Sequence, residues 1–353
     1  MTLGGIILKK ILIFPINEEN DFWRSSNDLL NNVVIGGLVA EKNSPYIGKT
    51  YNADNGVIKD EWKSDIKQCD EIILFPGNIS DERYREIIEA GKSYGKPIIA
   101  TDEAWINIPL ECRAYVTKFE MPHIECEIPS ELHDIDVPVI TVMSLGEHAG
   151  KFEIQLELKR YFESKGYNLL QFSSKEFGEI FNMNLLPDFM KQEMSMPTKI
   201  KLFNEYIYRM TREHPETDLI VIGIPGGIYP HNKIIDNSYG ELAMVVSKAV
   251  QIDINIMSIY CVQELVEKDL EELSDYTHKV FNCQTEFFNI SNTFGEYEYD
   301  GIGMQYHYYE KKILQSFFEK SVKAMLFNAY YSINVKEAIE KMEQELLANY
   351  EVI

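Results

Sequence analysis

Short apolar runs alternate with stretches of helical spacing along most of this chain. Lys9–Ile16, Val33–Ala40, Asp70–Phe75 and Lys96–Ala100 are rich in Ile, Leu, Val and Phe with little polar alternation. Continuous apolar runs are what strands need when helices cover both faces of a parallel sheet. Between them the spacing predicts a short helix over 25–31, a brief extended piece over 56–59 and a helix over 62–68. A further helix is capped by Ser80 and carries Arg83, Tyr84, Ile87, Ile88 and Gly91. Residues 1–110 therefore read as a Rossmann-like or flavodoxin-like domain. Its first strand runs into Phe14-Pro-Ile-Asn-Glu-Glu-Asn20, with no glycine fingerprint and two acids where a phosphate would lie, which disfavours a dinucleotide site. Asp70, Asn78, Thr101, Asp102 and Glu103 fall at strand ends, where polar caps are commoner than ligand contacts.

The alternation breaks over 111–136, an acidic stretch read as the tail of the first domain plus a linker. Cys112, His123 and Cys126 lie there, too few and too loosely spaced for a structural zinc site. A second alternating region occupies 137–300. Its predicted strands are 137–143, 167–172, 218–224, 254–260 and 285–290. Helices are expected after Gly150 (with Ile154, Leu158, Tyr161 and Phe162 on one face) and over 199–212, 237–249 and 262–273. Phe177–Pro197 is methionine-rich, either core-packed or an adaptable surface for a peptide. Two C-terminal helices, 311–328 and 335–347, fill 301–353. The fold class is α/β: two Rossmann-like or P-loop-like domains with mostly parallel sheets and extra C-terminal helices.

Composition narrows the partners. A chain of 353 residues with 45% apolar residues supports two buried cores. A net charge of −22 repels polyanions at long range, so nucleic acid is not expected as a partner. No window is apolar enough to span a bilayer, and the N-terminal apolar run contains lysines and no cleavage site. The 5 cysteines form no Cys-x-x-Cys pair. Together these features predict a cytoplasmic protein with reduced thiols, away from membranes.

The candidate chemistry lies at the carboxyl ends of the second set of strands. Val137–Met143 leads into Ser144-Leu-Gly-Glu-His-Ala-Gly-Lys151, and the third strand runs into Gly223-Ile-Pro-Gly-Gly227. A glycine-bearing loop ending in Gly-Lys at a helix start is the layout in which backbone N–H groups and a lysine face an anion. Candidate anion- or nucleotide-binding residues are Gly146, Gly150, Lys151, Ser173, Lys175, Gly226 and Gly227. The match to a phosphate loop is incomplete. Leu145 stands at the first glycine position, Phe152 where a hydroxyl would hold Mg²⁺, and Gly223 where the second magnesium anchor would fall. Any nucleoside triphosphate would thus bind without Mg²⁺, unless Glu147, Glu241 or Asp236 ligated the metal from a displaced position. Proton-transfer candidates are His148, Glu147 and His231, although a lone loop histidine is more often a hydrogen-bonding residue. In the plainest alternative, Gly146 and Gly150 merely permit a tight turn.

Two resemblances rest on these residues. Residues 137–292 resemble a degenerate member of the P-loop class that contains signal-recognition, MinD-like and metallochaperone NTPases. Lys151 matches the phosphate-binding lysine of that class, and Phe152 and Gly223 depart from its magnesium residues. Over nearly its whole length the chain also resembles peptide maturation system proteins. That likeness rests on Val142–Lys151, Gly223–Gly227 and Tyr239-Gly-Glu-Leu-Ala243. Such proteins accompany radical SAM maturases that modify small, cysteine-rich ribosomal peptides. The resemblance implies an accessory role in peptide maturation, with a precursor peptide or the maturase as partner. The alternatives are an NTP-hydrolysing enzyme that energises a maturation step, and a scaffold with an empty cleft.

Overall fold

A computed structural model describes residues 2–3, 6–51, 56–125, 127–262, 265–299, 303–318 and 324–350. The chain folds as two α/β units with parallel sheets of 5 and 7 strands and helices at the C-terminus. The first unit comprises Met1–Met121 and Glu176–Asn182, and the second comprises Pro122–Lys175 and Met183–Ile353.

The first sheet contains β1 (Lys9–Phe14), β2 (Val33–Leu38), β3 (Glu71–Leu74), β4 (Ile98–Ala100) and β5 (Thr117–Lys118), all parallel, in the order β2-β1-β3-β4-β5. Its core is Leu12, Phe14, Ile72, Leu74 and Ile98, packed against Ile66, Tyr84, Ile87 and Ile88 from α1 (Lys63–Gln68) and α2 (Asp81–Ser93). Ser80 caps α2 by accepting from the Arg83 amide, and Thr101 caps α3 (Asp102–Asn107) by accepting from Ala104. Asp70 accepts from the Lys10 amide at 2.7 Å, and Asp102 pairs with Lys118 at 2.5 Å. These strand-end polar groups thus serve the fold.

The strand order reverses between β1 and β3, the position at which open α/β sheets bind ligands. Here the chain fills that end with its own residues. Asn17 bridges to the Pro76 carbonyl at 2.9 Å. The returning segment 176–182 then lays Phe181 on Trp23 (ring centroids 4.8 Å apart) and Phe177 on Phe75 (5.2 Å) and Phe22 (5.9 Å). The segment is fixed at both ends. The Glu176 carboxylate accepts from the Asp102 amide at 2.9 Å, and the Ile180 carbonyl accepts from Asn31 at 2.9 Å.

The second sheet runs β8-β7-β9-β6-β10-β11-β14, entirely parallel. Its strands are β6 (Val139–Ser144), β7 (Leu169–Ser173), β8 (Asn184–Leu185), β9 (Leu219–Gly223), β10 (Ile254–Ile259), β11 (Thr285–Ile290) and β14 (Met325–Phe327). The connecting helices are α4 (Lys151–Ser164), α5 (Met196–Glu213), α6 (Glu241–Ala249) and α7 (Glu267–Phe281). Helices α8 (Lys311–Phe318) and α9 (Val335–Tyr350) follow an antiparallel hairpin of β12 (Thr293–Tyr297) and β13 (Met304–Tyr308).

Several expectations about boundaries shift. The first unit continues through β5, a strand of 2 residues whose pattern is too short to read. Residues 122–136 are no free linker but part of the second unit, strapped along α5. His133 bonds Glu205 at 2.7 Å and stacks on Tyr208 at 4.1 Å, and His123 pairs with Asp188 at 2.8 Å. Cys126 lies outside the described residues, as do 263–264 within the helix expected over 262–273 and 319–323 within that expected over 311–328. The latter ends instead in strand β14. The methionine-rich stretch is core rather than surface at Met183 and Met190, which are 2% and 1% exposed.

Helix α9 packs Ala338, Ile339 and Met342 into one core with Ile154, Leu158 and Phe162 of α4, and a carboxylate bonds at its edge. Glu343 accepts from Tyr161 (2.6 Å), Tyr167 (3.0 Å) and Lys165 (3.0 Å). Burial pushes this carboxyl up, but the three donors outweigh it and hold it below its ordinary value. A carboxyl depressed in the folded state contributes stability above its unfolded pKa and loses it as pH falls through the folded value. The stability difference between wild type and Glu343→Gln is therefore expected to be constant near neutrality. It should shrink as pH drops below the ordinary carboxyl value of 4.5, in a denaturant series across acid pH.

Candidate functional site

Strand β6 is central, and the chain winds from it to β7 on one side and from its neighbour β10 to β11 on the other. The loop after β6 therefore opens at the switch point of the second sheet. The run Val139–Ser144 is fully buried and delivers Ser144 to the loop entrance. Ser144 donates to the Gly146 carbonyl at 2.6 Å. Its oxygen accepts from the Lys151 ammonium at 2.6 Å, and that ammonium also donates to the Gly226 carbonyl. Lys151 is the first residue of α4 and only 7% exposed. One buried cation thus joins the ends of β6 and β9.

The loop is shaped by left-handed residues and by hydroxyls that hold its carbonyls. His148 (φ 56°) and Gly150 (φ 75°) are left-handed, and Gly150 is the residue from which α4 starts. Tyr260 donates to the Glu147 carbonyl at 2.6 Å, and Ser258 donates to the Ala149 carbonyl while accepting from Asn289 at 2.7 Å. Among the described residues, the Gly146 and Gly150 amides meet no acceptor. Amides at the start of a 14-residue helix carry the positive end of its dipole.

The Pro-Gly-Gly turn closes against this loop by backbone contact. A Cβ on Gly227 would lie 2.5 Å from both the Gly146 Cα and the Leu145 oxygen. Asn237 ties the two sides, donating to the carbonyls of Leu145 (3.3 Å) and Tyr229 (2.5 Å). Asn237, Ser238, Tyr239 and Gly240 are all left-handed, with φ of 49°, 47°, 50° and 73°. The helix expected from Asn237 therefore begins only at Glu241.

The two positions at which a phosphate loop would place its magnesium ligands are taken up by packing. Phe152 is 2% exposed and packs into the core. At Gly223 the Gln155 carboxamide of α4 takes up the side-chain space, since a Cβ there would sit 2.1 Å from its Oε1. That oxygen accepts from the Ser174 amide at 2.8 Å. Of the displaced metal candidates, Glu241 pairs with Lys199 at 2.8 Å and Asp236 caps the turn by accepting from Ser238 at 2.8 Å. Ser173 donates to the Lys175 carbonyl at 2.7 Å, closing a local turn of its own.

The structure thus brings Gly146, Glu147, His148, Gly150, Lys151, Gly226, Gly227 and His231 to one place. A Cβ on Gly226 would lie 3.9 Å from Glu147 Oε1, and one on Gly146 would lie 2.4 Å from His231 Nε2. Ser144, Ser258, Tyr260 and Asn289 escaped the sequence reading. Their signal was present, because a polar side chain inside an otherwise apolar buried strand needs a partner.

Hairpin β12–β13 adds aromatic groups to the same loops. Tyr306 packs on His148 with ring centroids 4.2 Å apart, and Tyr297 donates to the His231 carbonyl at 2.8 Å. Burial pushes the His231 imidazole below its ordinary value, so it is neutral near pH 7. Burial, with Tyr306 beside it, pushes the Tyr260 phenol far up and keeps it protonated.

No family model matches this chain, and no curated protein matches it. Among solved structures, a DUF1611 family protein from Anabaena variabilis ATCC 29413 superimposes with a TM-score of 0.49 at 8% identity, over 80% of this chain and 87% of that one.

Proposed function

We propose that the second unit binds a small phosphate-bearing molecule on the loop 145–151 and does not hydrolyse it with magnesium. In this reading the protein is an accessory factor in the maturation of a ribosomally made peptide, working beside a precursor peptide or a radical SAM maturase. One observation carries it: the buried Lys151 ammonium sits at the start of α4, held by a hydroxyl and a backbone carbonyl that an anion can displace. Phosphate oxygens are stronger acceptors for an ammonium than either neutral group. The core position of Phe152 and the Gln155 carboxamide at Gly223 speak against the hydrolytic alternative. The buried Met183 and Met190 remove part of the surface that a methionine-rich docking scaffold would use.

Calorimetric titration with inorganic pyrophosphate and with ATP tests the reading. Wild type is expected to bind both, and Lys151→Ala to lose about tenfold or more in affinity, the scale of one charge-assisted contact. Magnesium-dependent phosphate release that disappears in Lys151→Ala would instead establish the hydrolytic alternative. Failure of the wild-type protein to bind either compound sinks the proposal.

A further inference from the structure

Hydroxyls hold the carbonyls of the loop around Gly146. Tyr260 donates to the Glu147 carbonyl, Ser258 to that of Ala149 and Ser144 to that of Gly146. Beside them, His231 Nε2 is shielded from solvent and has no hydrogen-bond partner among the described residues. It lies against the bare Cα of Gly146. His231 Nε2 and the Tyr260 hydroxyl would each be 2.4 Å from a Cβ at that position. Both atoms therefore meet at Gly146, whose carbonyl shares the Ser144 hydroxyl with Lys151, and only a glycine admits them.

Enclosed polar atoms in folded proteins nearly always find a partner, and an exception calls for an explanation. The ring is placed by local structure on both sides. Its amide donates to the Ile235 carbonyl at 2.9 Å and its carbonyl accepts from Tyr297 at 2.8 Å. The backbone of His231 is thus fixed between the loop after β9 and the hairpin β12–β13, while the ring's Nε2 is left without a bond. A neutral imidazole can donate or accept at that nitrogen, so it suits a hydroxyl or an amino group.

We propose that His231 Nε2 is the contact for a hydroxyl or amino group on the body of the ligand. The loop then prefers a phosphate ester with a polar body over bare phosphate. This inference rests on the anion-binding reading of the same loop and adds the ligand class to it. A group that reaches Nε2 takes the place of its packing against Gly146. Lys151 binds the phosphate end, and His231 discriminates among what is attached to it.

Calorimetry on the full-length protein tests the proposal with two matched pairs: ADP against inorganic pyrophosphate, and ribose 5-phosphate against inorganic phosphate. Wild type is expected to favour the ester in at least one pair by about tenfold, the worth of one satisfied hydrogen bond. His231→Phe should abolish that preference, read as the ratio of ester to bare-anion affinity within each protein, and His231→Gln, which retains an amide, should keep part of it. Preference for ADP alone assigns a nucleotide, and preference in both pairs assigns a phosphorylated sugar. As a readout independent of the variants, the ring resonances of His231 should shift with the ester and not with pyrophosphate. Equal ester preference in wild type and His231→Phe overturns the proposal and leaves the anion site standing. Loss of pyrophosphate binding in wild type is the separate failure of the reading beneath it.

Discussion

Phe181→Ala is expected to destabilise the first unit by about 3–5 kcal/mol, the range for deleting a buried phenylalanine. The residue belongs to a stretch that the chain inserts after β7 of the second unit, yet its ring is fully buried among Trp23 and Phe22. Removing it leaves a void between rings that are pinned on several sides. Trp23 also touches Phe75 at 5.8 Å and Phe177 at 6.1 Å, and cannot easily collapse into the gap. The measurement is selective, because the three tryptophans, Trp23, Trp62 and Trp105, all belong to the first unit. Denaturant unfolding followed by tryptophan emission thus reports that unit. A shift below about 1 kcal/mol, the level of an ordinary surface substitution, would mean that the segment is not part of its core.

The sequence does not announce this insertion. Phe177 and Phe181 read as apolar residues in a methionine-rich stretch, and local spacing cannot say which of two cores receives them. The central strands were legible for the opposite reason. Val139–Ser144 and Leu219–Gly223 are short, mostly apolar runs, buried along their whole length, the pattern of a strand covered on both faces. Thr117–Lys118 and Met325–Phe327 are 2 and 3 residues long, too short for any period to show, and join their sheets through long-range pairing. At the site, the glycines and Lys151 could be read because a phosphate loop needs those residue types at that spacing. Their partners could not, because Ser258 and Tyr260 act on the carbonyls of Ala149 and Glu147 from far along the chain.

Gly227→Ala should cost about 3 kcal/mol in the second unit and eliminate pyrophosphate binding, placing it at the severe end of overpacking. The added methyl would meet the Gly146 Cα and Leu145 oxygen at 2.5 Å and Asn237 Nδ2 at 2.7 Å. Two of these three are backbone atoms, so no rotamer change relieves the clash and the loop after β6 must move. Gly166 is the matched control. It is left-handed (φ 90°), but nothing lies within 4 Å of its Cβ position. Gly166→Ala should then carry only the conformational cost of a left-handed alanine, about 1 kcal/mol, with binding intact. Far-UV circular dichroism in denaturant, read alongside the tryptophan signal, separates the two units. Wild-type pyrophosphate affinity in Gly227→Ala would show that the closeness of the two loops is not what forms the site.

The excursion of residues 176–182 also governs how the protein can be divided. A single truncation at Met121 strips the amino-terminal piece of Phe177 and Phe181 and leaves the remainder with two unshielded aromatic rings. Swapping either half with another protein would require transplanting two separate stretches of polypeptide.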